Sequence, residues 1–151
     1  MGEVLLEMPM DFTFDPPTLE ILLAHGWTQD RCIQIHQYER HFIDTDQPVS
    51  PLILAFLKSF GSLKVNGISI DPLDVYEGTV IRRHYKQFIG KPLCMVGWLG
   101  KPRSESTLFI SQTGDIYSAW SGYVHLWGTT IEDAFSNILI NRIYTVIPKP
   151  S

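Results

Sequence analysis

The sequence predicts an α+β fold in a single domain, with a twisted antiparallel sheet and N-terminal, central and C-terminal helices packed around it. Three observations lead there. Helices with complete start and stop signals occupy the first sixty residues, before any strand pattern begins. Asn66-Gly67 then sits between two short apolar runs, a strong hairpin signal because both central residues must reach positive φ. From Leu93 to Trp127, four strand-like runs follow one another with short turns between the last three, as in an antiparallel meander.

The elements follow in order. Asp15 is placed to cap a helix that begins at Pro16, where a missing N–H costs nothing. Leu19, Leu22 and Leu23 form its expected apolar stripe, Gly26 closes it in a left-handed conformation, and Trp27 folds back on the last turn. Ser50 and Pro51 open a second helix with Ile53, Leu54, Phe56, Leu57 and Phe60 on one face and Gly61 as its stop. Weaker patterns place a helix between Cys32 and Asp44 through Ile35, Tyr38 and Phe42, and another through Val80, Tyr85, Phe88 and Ile89 to Gly90. Leu63–Val65 and Ile68–Ile70 form the hairpin. Leu93–Leu99, almost wholly apolar, reads as a central strand. Lys101–Ser106 reads as a polar loop. Thr107–Ser111, Asp115–Trp120 and Tyr123–Trp127 complete the meander, with turns at Thr113-Gly114 and Ser121-Gly122. Thr129 and Glu132 have capping-box spacing ahead of Ile131, Ala134, Phe135, Ile138 and Leu139, the periodic face of the last helix. The expected core is Leu22, Phe56, Leu57, Phe60, Val96, Phe109, Ile116, Phe135 and Ile138.

Composition narrows the function classes. The 151 residues provide for one sizeable core, and 44% apolar content with 18 aromatics excludes a wholly disordered chain. Twelve basic against sixteen acidic residues give a net charge of −4, the wrong sign for displacing counterions, so no direct nucleic-acid binding is expected. The longest stretch without Asp, Glu, Lys or Arg, Ile116–Ile131, is too short and too polar to span a bilayer, so no membrane association is expected either. Glu3 and Glu7 stand where a signal peptide would carry basic residues. Cys32 and Cys94 lie far apart with no CxxC, which reads as two small core thiols in a reducing compartment, with one disulfide as the alternative. A cytoplasmic protein is the expectation.

Residue patterns that carry chemistry are few. His36 and His41 are five apart and point away from each other on a helix, unlike the i, i+4 zinc pair. His25 belongs to a helix end, and His84 to a charged helix face. GxSxG, GxGxxG and GxxxxGK[ST] are all missing. Asp44 with Asp46, and Asp71 with Asp74, are carboxylate pairs whose spacing fits turns better than a metal. No catalytic residue, metal ligand or cofactor is therefore assigned. His125, Asp115 and Asp74 are the residues on which an unconventional hydrolase would have to rely. Trp27, Trp98 and Trp127 read as core. Trp120-Ser121-Gly122-Tyr123 differs, because two large amphipathic rings flank a turn where at least one must meet solvent.

The chain resembles the SUKH superfamily of immunity proteins, most closely its third subgroup. The matching pieces are Ala24-His25-Gly26-Trp27 with Arg31 downstream, Phe56 to Leu63, Ile70-Asp71-Pro72-Leu73, Thr113 to Tyr117 and Trp127 to Ala134, all in the family's order. Gly61-Ser62 stands where the family usually shows two glycines, and Cys94-Met95-Val96-Gly97 where it usually shows a proline. The resemblance implies helices around a twisted antiparallel sheet over residues 15–145, flanked by an N-terminal segment (1–14) and a C-terminal tail (146–151). It also implies a non-enzymatic, stoichiometric antitoxin that binds a cognate bacterial polymorphic toxin domain, a nuclease among the possible kinds. Asp74, Glu77 and Asp115 are the expected steering charges for such a partner, and Trp120 and Tyr123 the expected anchors. A small hydrolase and an adaptor or scaffold domain are the alternative readings.

Overall fold

The computed structural model describes residues 11–74, 78–100 and 106–150, with the backbone alone for 78–82. Three helices come first: α1 (Pro16–Ala24), α2 (His36–Asp44) and α3 (Pro51–Phe60). The hairpin β1 (Lys64–Val65) and β2 (Ile68–Ile70) leads through a 3-10 turn (Pro72–Asp74) to α4 (Gly78–Ile89). Next are β3 (Leu93–Leu99), β4 (Ser106–Ser111), β5 (Ile116–Trp120) and β6 (Tyr123–Gly128). Helix α5 (Ile131–Ser136), a π-helical turn (Asn137–Asn141) and β7 (Thr145–Ile147) close the chain. All seven strands form one antiparallel sheet in sequence order, of which β3 to β6 are the expected meander.

Alternation of side chains divides the sheet's apolar residues between two cores. Ile68, Ile70, Cys94, Val96, Leu108, Ile110 and Ile116 face the layer made by α1, α2, α3 and α5. Leu93, Met95, Phe109, Tyr117 and Val124 face the other way, against Tyr85, Phe88 and Ile89 of α4. All nine expected core residues are buried, with Phe109 alone in the α4 core.

Helix ends explain most of the local architecture. Trp27 follows Gly26 (φ 95°), returns its N–H to the Leu22 carbonyl and buries its ring, which donates Nε1–H to Ser59 Oγ at 3.0 Å. Arg31 donates to the Ser59 and Gly61 carbonyls at 2.7 and 2.8 Å, satisfying the open end of α3. Gly61 is not the left-handed residue there, since its φ is −57°. It is glycine because a Cβ would lie 2.6 Å from the Leu57 carbonyl oxygen and 2.8 Å from Ile33. Ser62 takes the left-handed conformation instead (φ 63°), held by its N–H to Ile70 O and its hydroxyl to Tyr38 at 2.6 Å.

The central strand carries a bulge. Pairing with β4 shifts between Met95 and Gly97, and Gln47 accepts the Met95 N–H at 2.8 Å. A Cβ at Gly97 would fall 1.8 Å from the Ser69 carbonyl oxygen, so no other residue fits between β2 and β3.

Four expectations are corrected. The last helix is capped one residue later than read, by Thr130 accepting from the Asp133 N–H at 3.1 Å. Leu23 points to solvent, because α1 buries only the narrow stripe of Thr18 and Leu22. Asp15 accepts from the Thr18 hydroxyl at 2.7 Å rather than capping backbone N–H groups. Cys32 is exposed while Cys94 is buried. Strand β7 was not expected at all. Phe12 and Phe14, ahead of α1, join the main core, and Gln29 bonds both backbone groups of Phe12. Residues 101–105 of the expected loop lie outside the described residues.

Phe56→Ala and Phe135→Ala each remove a fully buried ring and are expected to lower unfolding free energy by about 3–5 kcal/mol. Urea denaturation checks this; near-wild-type midpoints would contradict the packing described.

Candidate partner-binding face

Among the described residues the helical layer covers the sheet from β1 to the start of β5, and the end of β6 where Trp127 joins its core, but not the far corner. Ile116 lies under helices; Ser118 and Trp120 follow on the same face by alternation. Tyr123 sits directly opposite Trp120 across the hairpin, and His125 is opposite Ser118. On the other side of His125, Val146 pairs with it from β7. Tyr144 stacks its ring on His125 at 3.9 Å and 16°. Trp120 (56% exposed), Tyr123 (60%), Tyr144 (46%) and Val146 (56%) therefore form one continuous apolar surface around His125. Solvent-exposed rings clustered in this way mark an interaction surface more often than isolated ones do.

The tip of this face is rigidly built. Ser121 (φ 51°) and Gly122 (φ 85°) form the tight turn, and the Gly122 N–H donates to the Tyr85 hydroxyl of α4 at 3.1 Å. Lys149 lies 5.8 Å from the Tyr123 ring centroid, a weak cation–π contact. Beneath the face, Trp127 donates Nε1–H to the buried Ser118 hydroxyl at 2.8 Å and Tyr144 leans on its ring at 5.1 Å. Partial burial pushes the His125 imidazole pKa below its usual value, so the ring is neutral at neutral pH.

Asp115 does a different job from the one its sequence position suggests. It is 6% exposed, and its Oδ2 accepts from Ser111 (2.7 Å), Thr113 (3.1 Å) and Lys91 (2.9 Å). Its charge is thereby committed to closing the β4–β5 turn and is balanced by Lys91. Asp74 lies in the 3-10 turn after β2, where Asp71 accepts the Leu73 N–H as in the expected Asp-Pro turn. Glu77 lies outside the described residues. His125, Asp115 and Asp74 do not converge. Asp74 follows β2, four strands from His125 on β6, or about 19 Å at ~4.8 Å per strand. The ring partners of His125 are Trp127 and Tyr144, neither of which touches the Asp115 cluster. Among the described residues no group of three or more His, Cys, Asp or Glu is arranged to hold a metal ion. No helix among them is long and apolar enough to cross a membrane.

A family model described as SUKH-3 immunity protein matches residues 14–141. The chain belongs to that family. Comparison with curated proteins and with solved structures finds no match. In this SUKH-3 chain the segments that carry the family resemblance are scaffold: Trp27 and Arg31 tie α1 to α3, and Gly128 lets the end of β6 meet α5, where a Cβ would lie 2.6 Å from Ala134 N. The exposed rings stand apart from this scaffold, and Tyr144 and Val146 lie beyond the matched span. The sequence singled out Trp120 and Tyr123 as rings at an exposed turn, which they are, but not the exposed Tyr144 and Val146 beside them. The signal was present in Ile143-Tyr144-Thr145-Val146-Ile147, a run of β-branched and aromatic residues, but Pro148 and Pro150 obscured it.

Asp115→Asn leaves buried donors poorly matched and is expected to destabilise the protein by about 1–3 kcal/mol at pH 7. Burial opposes the ionised carboxylate, yet the Lys91, Ser111 and Thr113 donors outweigh it and hold the pKa below the usual carboxylate range. The wild-type advantage is then complete above the unfolded carboxylate pKa and shrinks as pH falls through the lower folded value. Chemical denaturation from pH 7 to pH 3 checks this; a gap that widens on acidification would contradict it.

Proposed function

We propose that this SUKH-3 family member is a cytoplasmic antitoxin that binds a cognate bacterial toxin domain stoichiometrically and blocks it without turnover. The observation that carries the reading is the uncovered Trp120–Tyr123–Tyr144–Val146 face, together with family membership. Exposed aromatic side chains on rigid backbone are the usual source of hot-spot binding energy, because they contribute large contact area with little ordering cost. The hydrolase alternative loses its candidate residues through their separation across the sheet.

The overall charge of −4 suits a basic partner such as a nuclease, whose active site must attract phosphates. Steering in this reading comes from Asp74 and Glu77 as part of the general acidic field, with Asp115 reserved for its turn. Rim charges of this kind act mainly on the association rate, while buried anchors act on dissociation.

Co-expression with the toxin domain encoded by the adjacent gene tests the reading, followed by surface plasmon resonance on purified variants. Wild-type protein is expected to restore growth and bind with one-to-one stoichiometry; failure of both overturns the assignment. Trp120→Ala and Tyr123→Ala are each expected to speed dissociation roughly tenfold or more with unchanged melting temperature. Glu77→Ala is expected chiefly to flatten the salt dependence of association.

A further inference from the structure

Beside the aromatic face runs a groove of about 320 Å³ between the end of β6, α5 with its π-helical turn, and Tyr144. Resting on the antitoxin reading above, we propose that this groove receives a basic side chain, an arginine or a lysine, presented by the toxin. Its volume is at the small end of ligand pockets, roughly 300–1,000 Å³, and suits one long side chain better than a separate ligand.

The chemistry of the walls sets the sign of the guest. Asp133 is the one charged side chain among the described lining residues. Its carboxylate has no hydrogen-bond or ion-pair partner among the described residues, and it is exposed at the groove. Side-chain amides in the wall already donate to protein acceptors. Asn141 Nδ2 donates to Asn137 Oδ1 at 3.1 Å and to Ser136 Oγ at 3.4 Å, and Asn137 Nδ2 donates to the Trp127 carbonyl at 2.7 Å. The groove thus keeps two acceptors, the Asp133 carboxylate and the Asn141 Oδ1, and of these the carboxylate carries the charge. Tyr144 adds an aromatic wall, and a guanidinium is recognised by a carboxylate together with a ring face. The start of α5 adds little positive potential, because its first turn carries Glu132 and Asp133 and Thr130 already accepts the Asp133 N–H. Arg142, the next cation along the chain, donates instead to the Ile138 carbonyl at 3.1 Å.

Position completes the argument. Tyr144 belongs both to the groove and, through its stack on His125, to the exposed face. A toxin seated on Trp120 and Tyr123 therefore has the groove within its footprint, and charge complementarity selects which of its side chains enters.

Calorimetry of the full chain against the toxin domain encoded by the adjacent gene tests this, using wild type and Asp133→Asn. The variant is expected to bind roughly tenfold more weakly, with a flatter salt dependence and an unchanged melting temperature. Equal affinity overturns the groove assignment while leaving the antitoxin reading intact. Wild-type protein that binds no toxin overturns the antitoxin reading instead, and a second probe then decides the groove. N-acetyl-arginine amide at millimolar concentration is expected to shift the NMR amide signals of Asp133, Asn137 and Tyr144 in wild type. The neutral citrulline analogue is expected to leave them in place. No shift, or equal shifts from both probes, overturns the proposal, and the same titration on wild type stands in should Asp133→Asn fail to fold.

Discussion

Phe60, the last residue of α3, meets five other rings, and the placement of everything else follows from that junction. Its centroid lies 4.8 Å from Phe135, 5.0 Å from Phe12, 5.3 Å from Phe56, 5.5 Å from Trp27 and 6.1 Å from Phe14. These rings come from the segment before α1, the loop after it, α3 itself and α5, so one side chain joins four parts of the chain. Aromatic pairs at such separations add roughly 0.5–1.5 kcal/mol beyond their burial, and the cluster is exacting about shape as well as area. The scaffold contacts around it, Trp27 to Ser59 and Arg31 to the end of α3, fix the same junction by hydrogen bonds.

The exposed face is a consequence of where that junction stops. Phe135 holds α5 against Phe60, and Gly128 lets β6 run in beneath α5 at backbone contact distance. Among the described residues the helical layer then has no further element to cover the β5–β6 tip and β7. On the opposite side α4 continues to the tip and supplies the Tyr85 hydroxyl that holds the Gly122 N–H. One side of the corner is thus buttressed while the other is open. A surface already held in its binding geometry loses little entropy when a partner arrives, which is why rigid open corners serve recognition well.

Much of this was legible in the residues because local chemistry and tertiary structure agree. Gly26 with Trp27, Ser50 with Pro51, and Asn66-Gly67 each perform in place what their types imply. Where reading and structure part, a neighbour distant in sequence had decided the matter. Gly61 looks like a left-handed stop but is selected by the Leu57 carbonyl and the Ile33 side chain, with the left-handed strain moved to Ser62 and offset by Tyr38. Thr129 and Thr130 are equally good caps by type, and the end of β6 determines which one faces the helix. Strand β7 exists because β6 has a free edge, a fact of topology that three residues between prolines and a π-helical turn, two of them exposed, do not announce. The candidate face divides the same way: the hairpin tip is written in Trp120 to Tyr123, whereas Tyr144 and Val146 join it only through register.

On the proposed function, the open corner of the sheet, and not the helical layer, meets the toxin. Hydrogen–deuterium exchange of the full chain, free and saturated with the toxin domain encoded by the adjacent gene, measures this directly. The account predicts new protection concentrated in residues 118–126 and 142–148, with α1 and α2 unchanged. Protection confined to α1 and α2, with exchange at the β5–β7 corner unaltered by saturating toxin, would contradict it.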